Sequence, residues 1–287
     1  MGDSVSKLDI EENGATMSSL KPEKVAEMYD TTGELGLYLI FDNQLHFGYW
    51  DKNNPDASLS EAADRLTQIM IDKSEILQGE RFCDLGCGVG VPAIQLAKAK
   101  ECFVDGITIS KYQYDRGKEL AEEAGMSDRV RFIQSNALAI PCDDATYDGG
   151  WFLETIYHMG HREALREAYR ILKPGATLLI ADLITGPNTT EEFKTFAREQ
   201  LHSDHIPKED YPELLDEARF DLIEIDDVTE SMMPFMVPKV KAGFKQYEAE
   251  ILQYVHREVI DNWLRVFESV CENLGYILVK AKKRVCP

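Results

Sequence analysis

The chain has 287 residues, with 31 Lys and Arg against 51 Asp and Glu, a formal net charge of −20 at pH 7. Such a surface repels phosphate backbones and anionic membranes, so no nucleic-acid or membrane partner is expected. The densest basic cluster is only Lys280, Lys282, Lys283 and Arg284. At 44% hydrophobic and 29% charged the composition is that of a soluble globule, long enough for one large α/β domain with an appendage.

The 6 cysteines are too sparse for a secreted disulfide scaffold. Cys83 and Cys87 lack a second Cys/His pair to complete a zinc site, and no metal is expected. The chain has no apolar run of membrane-spanning length and no signal-peptide core. Met1-Gly2-Asp3-Ser4-Val5-Ser6 fits the short myristoylation pattern, but no basic patch reinforces it, and the cytoplasm is the expected location.

In chain order, residues 1–20 read as a polar, disordered tail, and 21–80 as an N-terminal helical lid segment. Lys21-Pro22-Glu23 opens a helix with Val25, Met28 and Tyr29 on one face. A Gly- and aromatic-rich stretch from Gly33 to Trp50 follows, and Ser58 or Ser60 caps a helix carrying Ala62, Leu66, Ile69 and Met70. Residues 81–185 alternate strands (Phe82–Leu85, Phe103–Ile109, Val130–Ser135, Gly149–Leu153, Thr177–Ala181) with helices (Pro92–Lys100, Lys111–Ala124, Arg162–Leu172). Lys173-Pro174-Gly175 reads as a turn into the last of these strands. Residues 186–287 add a polar helical region, a strand Asp221–Val228, a Met/Pro stretch Ser231–Pro238, one long helix from Phe244 to Val270, and a closing strand Tyr276–Val279. The alternation predicts an α/β fold: a Rossmann-like seven-stranded, mostly parallel sheet with helices on both faces, an N-terminal lid and a cap insertion.

Asp84-Leu85-Gly86-Cys87-Gly88-Val89-Gly90 joins a strand to a helix. Glycines there let main chain approach a ligand closely. The third Gly of a dinucleotide fingerprint falls on Val91, and no Gly-Lys-Ser/Thr follows, so neither a pyrophosphate nor a P-loop site is present. Acid-x-Gly-x-Gly-x-Gly suits a nucleoside without pyrophosphate. The ribose-binding acid expected about 20 residues on is absent. Thr108, Ser110 and Gln113 stand there instead, able to hydrogen-bond a diol without charge, and Asn136-Ala137 after the third strand offers an amide for an adenine.

These segments, with Leu172-Lys173-Pro174-Gly175, resemble class I S-adenosylmethionine-dependent methyltransferases in order and spacing. Leu45-His46-Phe47-Gly48-Tyr49-Trp50 and Leu153-Glu154-Thr155-Ile156-Tyr157-His158-Met159 look more narrowly like the natural-product branch, which includes sugar O-methyltransferases and is related to tocopherol, sterol and cyclopropane-forming enzymes. Thr108 stands where most members have an acid, Asn136 where Asp is usual, and Tyr157 where close relatives often have a second histidine. The resemblance implies S-adenosyl-L-methionine as cofactor. It places Gly86, Gly88 and Gly90 along the methionine portion, Ile109 and Gln113 beside the adenosine, and Leu153 near the sulfonium, with Asp84, Thr108, Asn136 and Ala137 as further cofactor-binding candidates. Tyr38 and Trp50 are candidates to close over the cofactor. By motif position it also gives the role of base to His158 and Asp182, with Asp182 either orienting the imidazole or taking the proton itself.

A histidine after the fourth strand sits where open α/β sheets place ligands. Met232, Met233, Phe235 and Met236, with Tyr29, Tyr157 and the N-terminal aromatics, are candidates for an apolar substrate pocket. The expected activity is methylation of a small-molecule, secondary-metabolite acceptor, foremost O-methylation. C-methylation through a cation, a non-methylating partner or cyclase, and homo-oligomerisation by exchange of the N-terminal helix stay open.

Overall fold

A computed structural model of the chain describes residues 20–34 and 37–285. The expected tail, apart from Leu20, lies outside the described residues. Helix α1 (Pro22–Glu34) begins on a proline, whose missing N–H costs nothing in a first turn. Helix α2 (Leu59–Lys73) is closed by a capping box: the Ser58 hydroxyl accepts from Glu61 N–H, and the Glu61 carboxylate accepts from Ser58 N–H at 2.8 Å.

The core then runs β1 (Arg81–Leu85), α3 (Val91–Lys100), β2 (Phe103–Thr108), α4 (Lys111–Glu123), β3 (Val130–Gln134), β4 (Tyr147–Leu153), α5 (His161–Ile171) and β5 (Leu172–Thr185). After it come α6 (Glu191–Gln200), α7 (Tyr211–Glu217), β6 (Phe220–Asp227), α8 (Met233–Gln246), α9 (Glu248–Ile251), α10 (Arg257–Asn273) and β7 (Leu274–Lys283). The strands form one 7-stranded sheet in the order β3-β2-β1-β4-β5-β7-β6. Strands β1 to β5 pair in parallel, and β7 runs antiparallel to both β5 and β6. Because β1 lies between β2 and β4, successive crossovers diverge at β1. That opens a crevice beyond the carboxyl ends of these strands.

Strand β4 shows why the sheet is sandwiched. Trp151 and Leu153 enter the core cluster that holds α2, α3, α8 and α10, whereas Phe152 enters the cluster with α5 and α7. A strand covered on both faces is apolar throughout. Each such fully buried side chain contributes roughly 1.5–3 kcal/mol.

Two expectations are corrected. Lys173-Pro174-Gly175 is not a turn ahead of β5 but part of it: Leu172 already pairs with Tyr147, and a register shift follows before Gly149 meets Thr177. The single long helix is a hairpin, α8 turning back through α9 into α10, which lets Phe244 pack on Trp263 at 5.4 Å between ring centroids. A straight helix carrying the same apolar spacing would leave those rings apart. Among the described residues, no helix is long and apolar enough to cross a membrane.

Candidate active site

The crevice encloses about 970 Å³, part of it open to solvent. Its floor is the β1 loop. Gly86, Gly88 and Gly90 have φ of 94°, 56° and 80°. At Gly90 a Cβ would stand 2.3 Å from the Phe132 ring, so only glycine lets the chain turn here into α3. At Gly88 a Cβ would meet no protein atom within 4 Å, because this stretch of main chain faces the void.

Asp84 lies beneath the loop, buried and lining the crevice. Among the described residues its Oδ1 has no hydrogen-bond partner, and burial pushes its carboxyl up to about 7. A sealed, unbalanced carboxylate is costly unless a cation arrives. Bare main chain above such a group fits a ligand with an ammonium-bearing tail.

The second wall is the end of β2. Thr108 Oγ1 donates to Gln113 Oε1 at 2.6 Å, and Gln113 Nε2 donates to the Tyr38 hydroxyl at 3.0 Å. Ser110 caps α4 by accepting from Gln113 N–H at 3.0 Å. Thr108, Ile109, Gln113 and Tyr38 all line the crevice. At the end of β3, Asn136 Oδ1 accepts from Leu138 N–H at 2.9 Å, which leaves its amide NH₂ as the group available to a base. Asn136 and Ala137 line the same void.

The third wall follows β4 and carries Leu153, Glu154, Thr155, His158 and Met159. His158 Nδ1–H donates to the His202 carbonyl at 2.7 Å. That fixes the tautomer and leaves the Nε2 lone pair to accept the Tyr29 hydroxyl at 3.0 Å. Burial drives the imidazole down to about 4, so it is neutral over the physiological range. Tyr29 belongs to α1, whose Pro22 and Val25 also line the crevice, so this helix roofs the site.

Several expected residues lie elsewhere. Asp182 is fully buried and does not line the crevice. Its Oδ2 accepts from Tyr211 and pairs with His161 Nε2 at 2.9 Å, so it orients His161 and not His158. Trp50 is 1% exposed, stacks on Phe235, and donates from Nε1 to the Ala57 carbonyl at 3.0 Å; it is core, not a cover for the cofactor. Tyr157 is wedged between the His158 and His205 rings and has no face on the void. Met232 and Met236 are wholly buried and Phe235 half-buried, in the cluster that seats α8 against Trp50; none borders the crevice. The Met/Pro stretch is apolar because it is packed, not because it covers a substrate.

Sequence reasoning missed Glu154. It is buried, lines the crevice, and has φ of 57°, a strained value for a residue with a Cβ. Its Oε1 accepts from Phe47 N–H and from the Tyr276 hydroxyl, each at 2.7 Å. Burial raises its carboxyl to about 8. The signal available was an acid placed directly after the apolar run Trp151-Phe152-Leu153. His46 was quoted in a motif without a role. It lines the crevice, and its ring contacts the Phe47 carbonyl and the Thr67 hydroxyl.

Known proteins resemble this chain in sequence and fold. A family described as a methyltransferase domain matches residues 82–175. The 27-O-demethylrifamycin SV methyltransferase of Amycolatopsis mediterranei (strain S699) is 32% identical over 274 residues, covering 93% of this chain and 99% of that protein. The (+)-O-methylkolavelool synthase of Herpetosiphon aurantiacus is 30% identical over 270 residues, covering 91% of this chain and 93% of that one. The crystal structure of the cyclase SpnF superposes with a TM-score of 0.80 at 27% identity, over 92% of this chain and 97% of that one. The Gly86–Gly90 main chain and the buried Asp84 beneath it fit S-adenosyl-L-methionine, the cofactor of the family. The chain belongs to the class I S-adenosylmethionine-dependent methyltransferases, in their natural-product branch.

Proposed function

We propose that the protein methylates a hydroxyl group of a largely apolar small molecule, with His158 as the base. One observation carries this reading: His158, on the wall of the crevice, holds its Nε2 lone pair toward a hydroxyl donor. The names of both relatives above place their methyl groups on oxygen, which supports the same acceptor atom here.

When bound, the cofactor supplies a methyl group activated by the positive charge on sulfur. The residues do the rest. Gly86, Gly88, Gly90 and Asp84 would hold the amino-acid tail, and Thr108, Ile109, Gln113, Asn136, Ala137 and Tyr38, which line the same crevice, would hold the nucleoside. The acceptor hydroxyl would replace that of Tyr29 as the donor to His158 Nε2, which would hold its oxygen at the crevice wall. As the O–C bond forms, the hydroxyl becomes strongly acidic, so an imidazole depressed to about 4 still takes the proton. The His202 carbonyl accepts from Nδ1–H throughout, which steadies the ring as it becomes positive. Helix α1 excludes water from above, and holding two reactants in line is the larger part of the rate. Asp182 acts at a distance, anchoring the turn into α5 through His161.

The test is formation of S-adenosylhomocysteine with a panel of apolar alcohols and phenols, each paired with its O-blocked ether. Turnover confined to the free hydroxyl compounds, and lost in His158→Ala, is expected. Equal turnover of the blocked ethers contradicts the proposal.

A further inference from the structure

Glu154 has more polar capacity than the mechanism uses. Its Oε1 is saturated by two donors, Phe47 N–H and the Tyr276 hydroxyl. Its Oε2 has no hydrogen-bond partner among the described residues. The residue is only 5% exposed and lines the crevice, which leaves its second oxygen for a crevice ligand.

The groups facing Glu154 leave its charge unbalanced. Tyr276 on β7 and Tyr157 after β4 are buried, Tyr29 on α1 and Cys271 on α10 are half-buried, all four are neutral, and Asp182 on β5 repels a second negative charge. His158 is neutral as well. No Lys or Arg among the described residues bonds to it. Among the described residues the crevice thus holds two buried carboxyls, Asp84 and Glu154, and no Lys or Arg in its lining, and the methyl donor brings two cationic centres, its ammonium and its sulfonium. The spent cofactor keeps only the ammonium.

We propose that Glu154, on the crevice wall with one oxygen held by Phe47 and Tyr276, is the counter-charge of the sulfonium: it gives up a proton to solvent when the donor binds and regains one when methyl transfer leaves a neutral thioether. The inference rests on the donor site assigned above. The balance closes. On binding, the O–H bond of Glu154 breaks. During transfer, the S–CH₃ bond breaks, the O–CH₃ bond forms and the acceptor releases its proton; that released proton offsets the one Glu154 takes up. Binding energy is thereby directed to the charged substrate over the uncharged product, which eases product release.

A carboxyl raised to about 8 by burial is mostly protonated at pH 7. An opposite charge about 4–6 Å away lowers such a group by roughly 1–3 units. A drop of about two units releases roughly 0.8 proton at pH 7 and strengthens donor binding about tenfold. The sign follows from the proton being released: donor affinity rises with pH up to about 8 and is flat above.

The experiment is titration calorimetry of the full chain with S-adenosylmethionine and with S-adenosylhomocysteine, in buffers of different ionisation enthalpy, for wild type and Glu154→Gln. The glutamine oxygen still accepts from Phe47 and Tyr276, so affinity for S-adenosylhomocysteine serves as the control for fold. The expected result is proton release of about 0.8 greater for the donor than for the product in wild type, with no such difference in E154Q and about tenfold less preference for the donor. Equal proton counts for the two ligands in wild type, or an undiminished difference in E154Q, overturn the inference and leave the cofactor assignment standing. No heat with either ligand overturns both.

Discussion

Two neighbouring glycines should fail in different ways when each gains a methyl group. Alanine at position 90 must adopt φ of 80°, which costs about 1–2 kcal/mol for a residue with a Cβ. Its Cβ also lands 2.3 Å from two atoms of the Phe132 ring. The ring has little room to yield, since a Cβ on Gly117 would lie 2.6 Å from it and one on Gly106 3.4 Å. Phe132 therefore sits in a socket made of glycines. Overpacking of this kind costs about 1–3 kcal/mol, for a total of roughly 2–5 kcal/mol. Gly88→Ala meets no protein atom, so its stability cost is the backbone strain alone, about 1–2 kcal/mol, while its methyl group enters the space assigned to the donor. Urea unfolding and calorimetry with S-adenosylhomocysteine separate the two: G90A loses stability, and G88A loses affinity at least tenfold while remaining folded. In the Phe132→Leu background the penalty of G90A should shrink by about 1 kcal/mol or more, a coupling that a double-mutant cycle reads directly. Full stability of G90A, or unchanged affinity in G88A, refutes the account of the loop.

Replacing His158 with Ala should lower kcat about 10²–10⁴-fold and leave the dissociation constant for S-adenosylhomocysteine within a few-fold, as single-turnover kinetics and calorimetry would show. At saturating donor, kcat should lack an inflection near pH 6.5. The base is held near 4, so it is already deprotonated there and loses activity only in stronger acid. A titration step at 6.5 that disappears in H158A would contradict the buried, neutral imidazole. Tyr29→Phe keeps the edge-on ring contact with His158, 5.6 Å between centroids, but leaves Nε2 without its donor. Hydrogen exchange in α1 should quicken, reflecting a lost contact of about 1–3 kcal/mol, and unchanged protection would show that this bond does not hold the roof. Asp182→Ala should unfold at lower denaturant by about 3 kcal/mol or more, since it strands His161 and Tyr211; a stable D182A that has lost only catalysis would restore the carboxylate to the chemistry.

The sheet was legible because its signals are local. Short apolar runs separated by helical stretches give the strands their place, a serine at 58 or 60 marks the start of α2, which the structure caps with Ser58, and the glycines mark where main chain meets ligand. What escaped depends on contacts between distant segments. His158 and His161 are three residues apart and both follow the fourth strand, yet the helical turn between them hands one to the void and the other to Asp182. Nothing in the sequence separates those outcomes. Trp50, Phe235 and Met236 are apolar whether they enclose a ligand or each other, and burial alone decides it. The reading of one long helix failed because spacing of three and four is preserved across a hairpin. Glu154 was overlooked because a carboxylate at a strand end reads as solvated until Phe47 and Tyr276 are seen to enclose it.

The most direct measurement is NMR of the product formed from donor carrying a ¹³C-labelled methyl group and an apolar hydroxylated acceptor. The account predicts one labelled methyl with the chemical shift of an O-methyl group, absent in reactions with H158A. Label on carbon, or the donor returned unchanged with every acceptor that binds, contradicts it.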